Sequence, residues 1–242
     1  MILRRTLVLL SCIVLTATGL AVGGASTGQA PAGAAPRCAD VHVLFARGTV
    51  ETAPPLGLTG IAFTNAVRGR LPGKSVRVEA VRYAASANFS NKLAFAHSFI
   101  RGVESAQRRM RSIAAACPDT DIVLGGYSQG AALAQYAVSA QVQVPERYQR
   151  YRSYVPRPLP ASVASHVAAV VLYAPPSPHF MRQAGAPAVV PLAAYRGKTV
   201  RYCIQGDTIC NGARLGGPNA LHLLYSVNGM ADQGARYVAR RV

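Results

Sequence analysis

Ser128 lies at the centre of Gly126-Tyr127-Ser128-Gln129-Gly130, a G-x-S-x-G pattern. The residues ahead of it, Asp121-Ile122-Val123-Leu124-Gly125, read as a short buried strand. Those behind it, Ala131-Ala132-Leu133-Ala134-Gln135-Tyr136-Ala137, are helix formers. A serine on a sharp strand-to-helix turn is held in a strained backbone conformation with its hydroxyl exposed as a nucleophile. Small residues two positions to either side let strand and helix pass closely, and the helix N-terminus lies behind the hydroxyl.

A serine hydroxyl is a weak nucleophile unless a base takes its proton, and the base needs an acid to fix its tautomer and stabilise its cation. Around such turns the chain order is serine, acid, histidine. After Ser128 the acids are Glu146, Asp207 and Asp232, and the histidines are His166, His179 and His222. Glu146 falls in an irregular stretch and Asp232 follows the last histidine. Asp207 lies between Cys203 and Cys210, and His222 is the histidine that follows it, shortly after Gly216-Gly217-Pro218. Elimination therefore predicts a triad of Ser128, Asp207 and His222. His42, His97, His166 and His179 are expected to be structural or surface residues, with His179 the one to test as a substrate contact.

The elements that must hold these groups alternate between strand and helix. Residues 40–46 form a buried strand that runs into Arg47-Gly48-Thr49, a loop where hydrolases of this layout place half of an oxyanion hole. Residues 58–71 read as a helix with Ile61, Ala62, Ala66, Val67 and Leu71 on its apolar face. Residues 75–81 alternate as a strand, and 90–116 form the longest helix. Residues 141–160 hold four arginines, three tyrosines and four prolines without periodicity, and read as a loop or extension. Further strands are expected at 167–173 and 199–204, and a terminal helix within 217–241. Strands separated by helices imply right-handed crossovers and a mostly parallel, three-layer α/β sheet.

The 242 residues suit one such domain. Arg4-Arg5 followed by an apolar run over 7–22 and small residues reads as a secretory signal peptide, residues 1–34, cleaved after Ala25 or Ala34. Cys12 would leave with it. The other four cysteines are then most simply two disulfides, as suits an exported chain. Cys203–Cys210 is the natural short loop, which leaves Cys38–Cys117, worth around 4 kcal/mol in the chain-entropy model. No C-x-x-C hook of the kind that binds zinc is present. The formal charge is +17, from 26 basic and 9 acidic residues. It favours contact with an anionic lipid or cell-envelope surface over nucleic acid, for which no binding signature is found. The apolar run is short for a membrane anchor, so the mature chain is expected to be secreted, soluble and monomeric.

Together these residues resemble the cutinase family of small secreted serine esterases, from about Cys38 to the C-terminus. Four features carry the likeness: Cys38 before the first strand; Ala46-Arg47-Gly48-Thr49-Val50-Glu51; Cys117-Pro118 leading into Gly125-Gly126-Tyr127-Ser128-Gln129-Gly130-Ala131; and Cys203 to Cys210 enclosing Gly206-Asp207, with His222 beyond. The resemblance implies a central, five-stranded parallel sheet flanked by helices in an α/β-hydrolase-type fold. It implies catalysis by Ser128, Asp207 and His222 and no metal or organic cofactor. It also implies an oxyanion hole from the backbone N–H groups of Thr49 and Gln129. The Thr49 hydroxyl would assist, on a side chain more rotamer-restricted than the serine frequent there. The 141–160 stretch looks longer than in compact members of that family.

The expected function is hydrolysis of short-to-medium acyl esters or lipids through an acyl-enzyme. Two other readings stand beside it. A polysaccharide deacetylase of the acetylxylan esterase type would share the scaffold, although the chain has no Trp to stack on sugars. A non-catalytic, basic envelope-binding protein would have no use for Asp207 and His222 in that order.

Overall fold

The structure is a computed structural model describing residues 38–51, 54–214 and 216–242. The expected signal peptide, its cleavage points and Cys12 lie outside these residues. In chain order the elements are β1 (Val41–Ala46), α1 (Gly57–Arg70), β2 (Val76–Ala80), α2 (Lys92–Ala116), β3 (Asp121–Tyr127), α3 (Gln129–Ala137) and β4 (Ser139–Gln143). A 3₁₀ helix (Glu146–Tyr154), α4 (Ala161–His166), β5 (Val167–Tyr173), α5 (Pro178–Gln183) and β6 (Ala188–Pro191) follow. The chain ends with α6 (Ala193–Arg196), β7 (Thr199–Tyr202), a second 3₁₀ helix (Ala220–Ser226) and α7 (Met230–Ala239).

β1, β3 and β5 are nearly continuous apolar runs because helices cover both of their faces. They form the middle of a five-stranded, all-parallel sheet in the order β2-β1-β3-β5-β7. On one face Leu44, Ile122, Leu124 and Leu172 pack against Val103 and Met110 of α2, Leu133 of α3 and Val163 of α4. On the other, Val43, Phe45, Val123 and Tyr173 pack against Phe63 and Val67 of α1 and Val238 of α7. This is the expected three-layer α/β fold, and Cys38–Val242 forms one compact unit.

Three regions differ from expectation. Within residues 141–160, β4 begins the stretch and pairs antiparallel with β6, more than forty residues on, before the 3₁₀ helix starts. The predicted terminal helix is broken at Gly229 (φ 84°) into a 3₁₀ turn carrying His222 and the separate α7. In α1 the buried line runs through Gly60, Phe63, Thr64 and Val67, rotated from the predicted face. Thr64 tolerates burial because its hydroxyl donates to the Ile61 carbonyl at 3.2 Å.

Parallel strands bring their carboxyl ends to one edge. The four described non-glycine residues with positive φ, Val50 (54°), Ala85 (49°), Ser128 (53°) and Ala174 (46°), all follow strands there. Strained backbone is thus concentrated where β1, β2, β3 and β5 end. Both disulfides form as paired in the sequence reading. Cys38–Cys117 ties the opposite edge, before β1 and β3, whereas Cys203–Cys210 closes a loop after β7.

Candidate active site

Ser128 connects β3 to α3 with φ 53° and ψ −118°, and its N–H donates to the Tyr173 carbonyl at 2.9 Å. A Cβ on Gly126 would stand 2.3 Å from the Gly130 carbonyl oxygen, and one on Gly130 would stand 2.0 Å from the Ala46 carbonyl oxygen. Neither position admits a side chain, so both glycines of the motif are required by the close pass of α3 over β1 and β3.

Ser128 Oγ lies 2.9 Å from His222 Nε2. Across the same ring, Nδ1 lies 3.0 and 2.9 Å from the two carboxylate oxygens of Asp207. The structure therefore brings all three predicted residues together, from the β3–α3 turn, the loop after β7 and the second 3₁₀ helix. Asp207 is fully buried. Burial alone would raise its carboxyl. The hydrogen bonds from His222, the Tyr225 hydroxyl and the Ile209 amide outweigh that and hold it below the ordinary carboxylate range. An ionised carboxylate only accepts, so Nδ1 must carry the proton it shares with Asp207, and Nε2 faces Ser128 as an acceptor. The arrangement can take a proton from Ser128 and stabilise the resulting imidazolium.

Two tyrosines to which the sequence alone assigns no role complete this packing. Tyr225 donates to Asp207 Oδ2 at 2.7 Å and accepts the Ile204 N–H at 2.9 Å. Burial, reinforced by the Asp207 carboxylate, pushes its phenol far above the ordinary value, so it remains a donor. Tyr127 donates to the His222 carbonyl at 2.6 Å, with the two rings 5.1 Å apart. The loop carrying Asp207 is further held by the Cys203–Cys210 bridge, with Cys210 Sγ 3.3 Å from the carboxylate.

Thr49 follows β1 and Gln129 opens α3, both at the edge that carries Ser128. Their backbone amides donate to no acceptor among the described residues. The Gln129 side chain instead donates to the Ser86 carbonyl at 2.9 Å. The other histidines lie apart. His42 is buried on β1, its Nε2 3.3 Å from Glu79, and burial together with Arg109 lowers its pKa. His97 packs on Tyr154, His166 ends α4, and His179 sits in the first turn of α5 without joining the triad. Among the described residues no three His, Cys, Asp or Glu side chains cluster as a metal site.

The sequence matches the profile described as Cutinase over residues 37–242. The chain belongs to the cutinase family. It is accordingly a serine carboxylesterase, with the family's parallel five-stranded sheet. Among relatives of this cutinase-family esterase, "Probable carboxylesterase Culp7" of Mycobacterium tuberculosis is 43% identical over 169 residues, covering 70% of this chain and 86% of that protein. Phospholipase Culp4 of the same organism is 36% identical over 205 residues, covering 85% and 80%. The Trichoderma reesei cutinase solved with a C11Y4 phosphonate inhibitor superposes with a TM-score of 0.58 at 27% identity, covering 84% of this chain and 76% of that one.

Proposed function

We propose that Ser128, His222 and Asp207 are the catalytic residues of this esterase, acting on short-to-medium acyl esters or acyl lipids. The observation that carries the reading is the 2.9 Å contact between Ser128 Oγ and His222 Nε2, with Asp207 on the far ring nitrogen. His222 takes the proton as Ser128 attacks the ester carbonyl, then delivers it to the leaving alcohol. Water, deprotonated by the same imidazole, cleaves the acyl-serine and releases the acid. The amides of Thr49 and Gln129 receive the oxygen that becomes negative in both tetrahedral intermediates. Each such donor is worth about 2.7–4 kcal/mol of barrier.

Acyl substrates are favoured by what flanks the site. Val50 beside Thr49, Leu223 beside His222 and Phe89 near Ser86 are 65%, 70% and 56% exposed. Apolar side chains left in water around a nucleophile suit a hydrocarbon chain better than a sugar. The phospholipase named among the relatives supports the lipid end of this range. Residues 1–34 are read as a signal peptide and the enzyme as exported, to act at an anionic lipid or envelope surface. Two disulfides suit that destination, and no described helix is long and apolar enough to cross a membrane.

Turnover of p-nitrophenyl esters from acetate to long acyl chains, beside Ser128→Ala, tests the reading. A preference for about four to eight carbons, lost in the variant, is expected for an enzyme with this site. Turnover of acetate alone would redirect it to a polysaccharide deacetylase. No turnover at any length would leave only binding.

A further inference from the structure

Glu51 takes part in none of the chemistry above, yet its carboxylate sits beside the loop expected to bind the oxyanion. Oε2 accepts the Gly48 N–H at 2.6 Å, and Oε1 accepts the Leu58 N–H at 3.1 Å. One side chain thus bridges the residue before Thr49 and the first turn of α1. The bridge is tightly fitted: a Cβ on Gly57 would lie 2.3 Å from Oε2, and a Cβ on Gly48 would lie 2.7 Å from the Tyr127 ring. An acid at the start of α1 also suits the helix dipole.

The same loop is tied from its other side. The Val50 N–H donates to the Ala85 carbonyl at 2.9 Å, and both residues have positive φ. The Arg47 guanidinium donates to the Tyr83 carbonyl at 2.8 Å, and the Tyr83 hydroxyl donates back to the Arg47 carbonyl. Between these ties the Thr49 amide has no acceptor among the described residues. An oxyanion donor must stand within a few tenths of an ångström of its place before reaction, because binding cannot reorganise it without cost. A strained turn relaxes when one anchor is removed.

We propose that Glu51 is a positioning residue for catalysis: its carboxylate, clamped between the Gly48 and Leu58 amides, holds the Gly48–Thr49–Val50 turn so that the Thr49 N–H faces the developing oxyanion. This rests on the reading of Ser128 as nucleophile and Thr49 as donor. Moving a donor, rather than deleting it, is expected to lower kcat about 10- to 100-fold while leaving ground-state binding nearly intact.

The test compares the folded, disulfide-bonded protein with Glu51→Ala and Glu51→Gln. Measurements are kcat and KM on p-nitrophenyl butyrate, affinity for an alkylboronic acid that forms a tetrahedral serine adduct, and melting temperature. The expected result is a fall in kcat with KM within about twofold, and boronate affinity falling in step with kcat/KM. Glu51→Gln should lose less than Glu51→Ala, since it keeps one acceptor oxygen but turns an NH₂ towards the other amide. It also keeps the side-chain volume, and decides the matter if Glu51→Ala does not fold. A melting temperature that drops while kcat and boronate affinity stay at the wild-type level overturns the proposal, as does a loss confined to KM. Labelling of wild-type Ser128 by a fluorophosphonate separates the two readings. A wild type that neither labels nor hydrolyses removes the site reading and this inference with it. A wild type that does both, beside unchanged Glu51 variants, removes this inference alone.

Discussion

The Tyr225 hydroxyl donates to Asp207 Oδ2 at 2.7 Å, from a ring fully buried behind the triad. With the Ile209 amide on Oδ1 at 2.9 Å, each carboxylate oxygen has a protein donor besides His222. That is how an acid without solvent contact stays ionised where burial alone would protonate it. Tyr225→Phe removes one donor and leaves the Ile204 N–H without its acceptor. A stability loss of about 1–3 kcal/mol is expected for the orphaned buried groups. The Asp207 carboxyl should rise, because a hydrogen bond to its charged form is gone. The stability difference between wild type and variant should therefore narrow as pH falls below the ordinary carboxylate value, whereas a tyrosine that only fills space would cost the same at every pH.

Asp207→Asn keeps the shape of the site while removing the charge that opposes an imidazolium and selects its tautomer. By analogy with other serine triads, kcat should fall about 10⁴-fold with the fold retained. Stability carries a second signature. The folded-state pKa of Asp207 is depressed, so its contribution is fully present above the ordinary carboxylate value of about 3.9 and is lost as pH falls through the lower folded value. Denaturant midpoints of wild type and Asp207→Asn should accordingly be furthest apart near neutrality and converge below about pH 4. A difference that grows on acidification would contradict an ionised, hydrogen-bonded Asp207.

The two disulfides should separate stability from activity. Cys38–Cys117 spans 79 residues and closes the edge before β3, while Ser128 follows the far end of that seven-residue strand, roughly 23 Å away at strand rise. Replacing both by Ser should cost about 4 kcal/mol in the chain-entropy model, with kcat nearly unchanged for the protein that stays folded. Cys203–Cys210 spans only 7 residues, for which the same model gives about 2.4 kcal/mol. Its Cys210 sulfur, however, lies 3.3 Å from both Asp207 and the Tyr225 hydroxyl. The Cys203→Ser/Cys210→Ser variant should lose less melting temperature and more kcat. Calorimetry beside steady-state kinetics on both double variants would reveal an inverted order.

Ser128 was legible because its environment is local: strand, turn and helix are contiguous, and Gly126 and Gly130 sit where a Cβ could not. Asp207 and His222 were legible by scarcity and chain order, and the short Cys203–Cys210 loop by spacing. Tyr225, Tyr127 and Glu51 were not, since the contacts each side chain makes exist only after folding. Tyr127 lies 95 residues from the carbonyl it donates to, and Tyr225 lies 18 from its carboxylate. Glu51 sits inside the quoted Ala46-to-Glu51 motif, three residues after the Gly48 amide it accepts from, and an acid ahead of a helix was the available signal. The β4–β6 pair escaped for the same reason as Tyr127, because partners far apart in sequence and half exposed leave little periodicity in either strand.

Arg147, Arg150, Arg152 and Arg157 are all exposed on and just beyond the 3₁₀ helix Glu146–Tyr154. Arg147 and Arg150 lie over the rings of Tyr148 and Tyr151 at 4.8 and 4.9 Å. Arg147, by hydrogen bonding and charge, and Lys92 together lower the Tyr148 phenol, which marks a positive local field. Arg101 and Arg157, with the acid Glu104, line a cleft of about 480 Å³ shared with α2. Each arginine near an anionic bilayer contributes about 1 kcal/mol, so four together are worth up to about 10³-fold in partitioning at low salt. Changing all four to Gln should therefore weaken binding to phosphatidylglycerol vesicles at least about tenfold, without altering turnover of soluble p-nitrophenyl butyrate. Raising ionic strength should erase the difference, as screening of exposed charges requires. Vesicle affinity that ignores both the substitutions and the salt would assign membrane contact to the apolar residues around Ser128 instead.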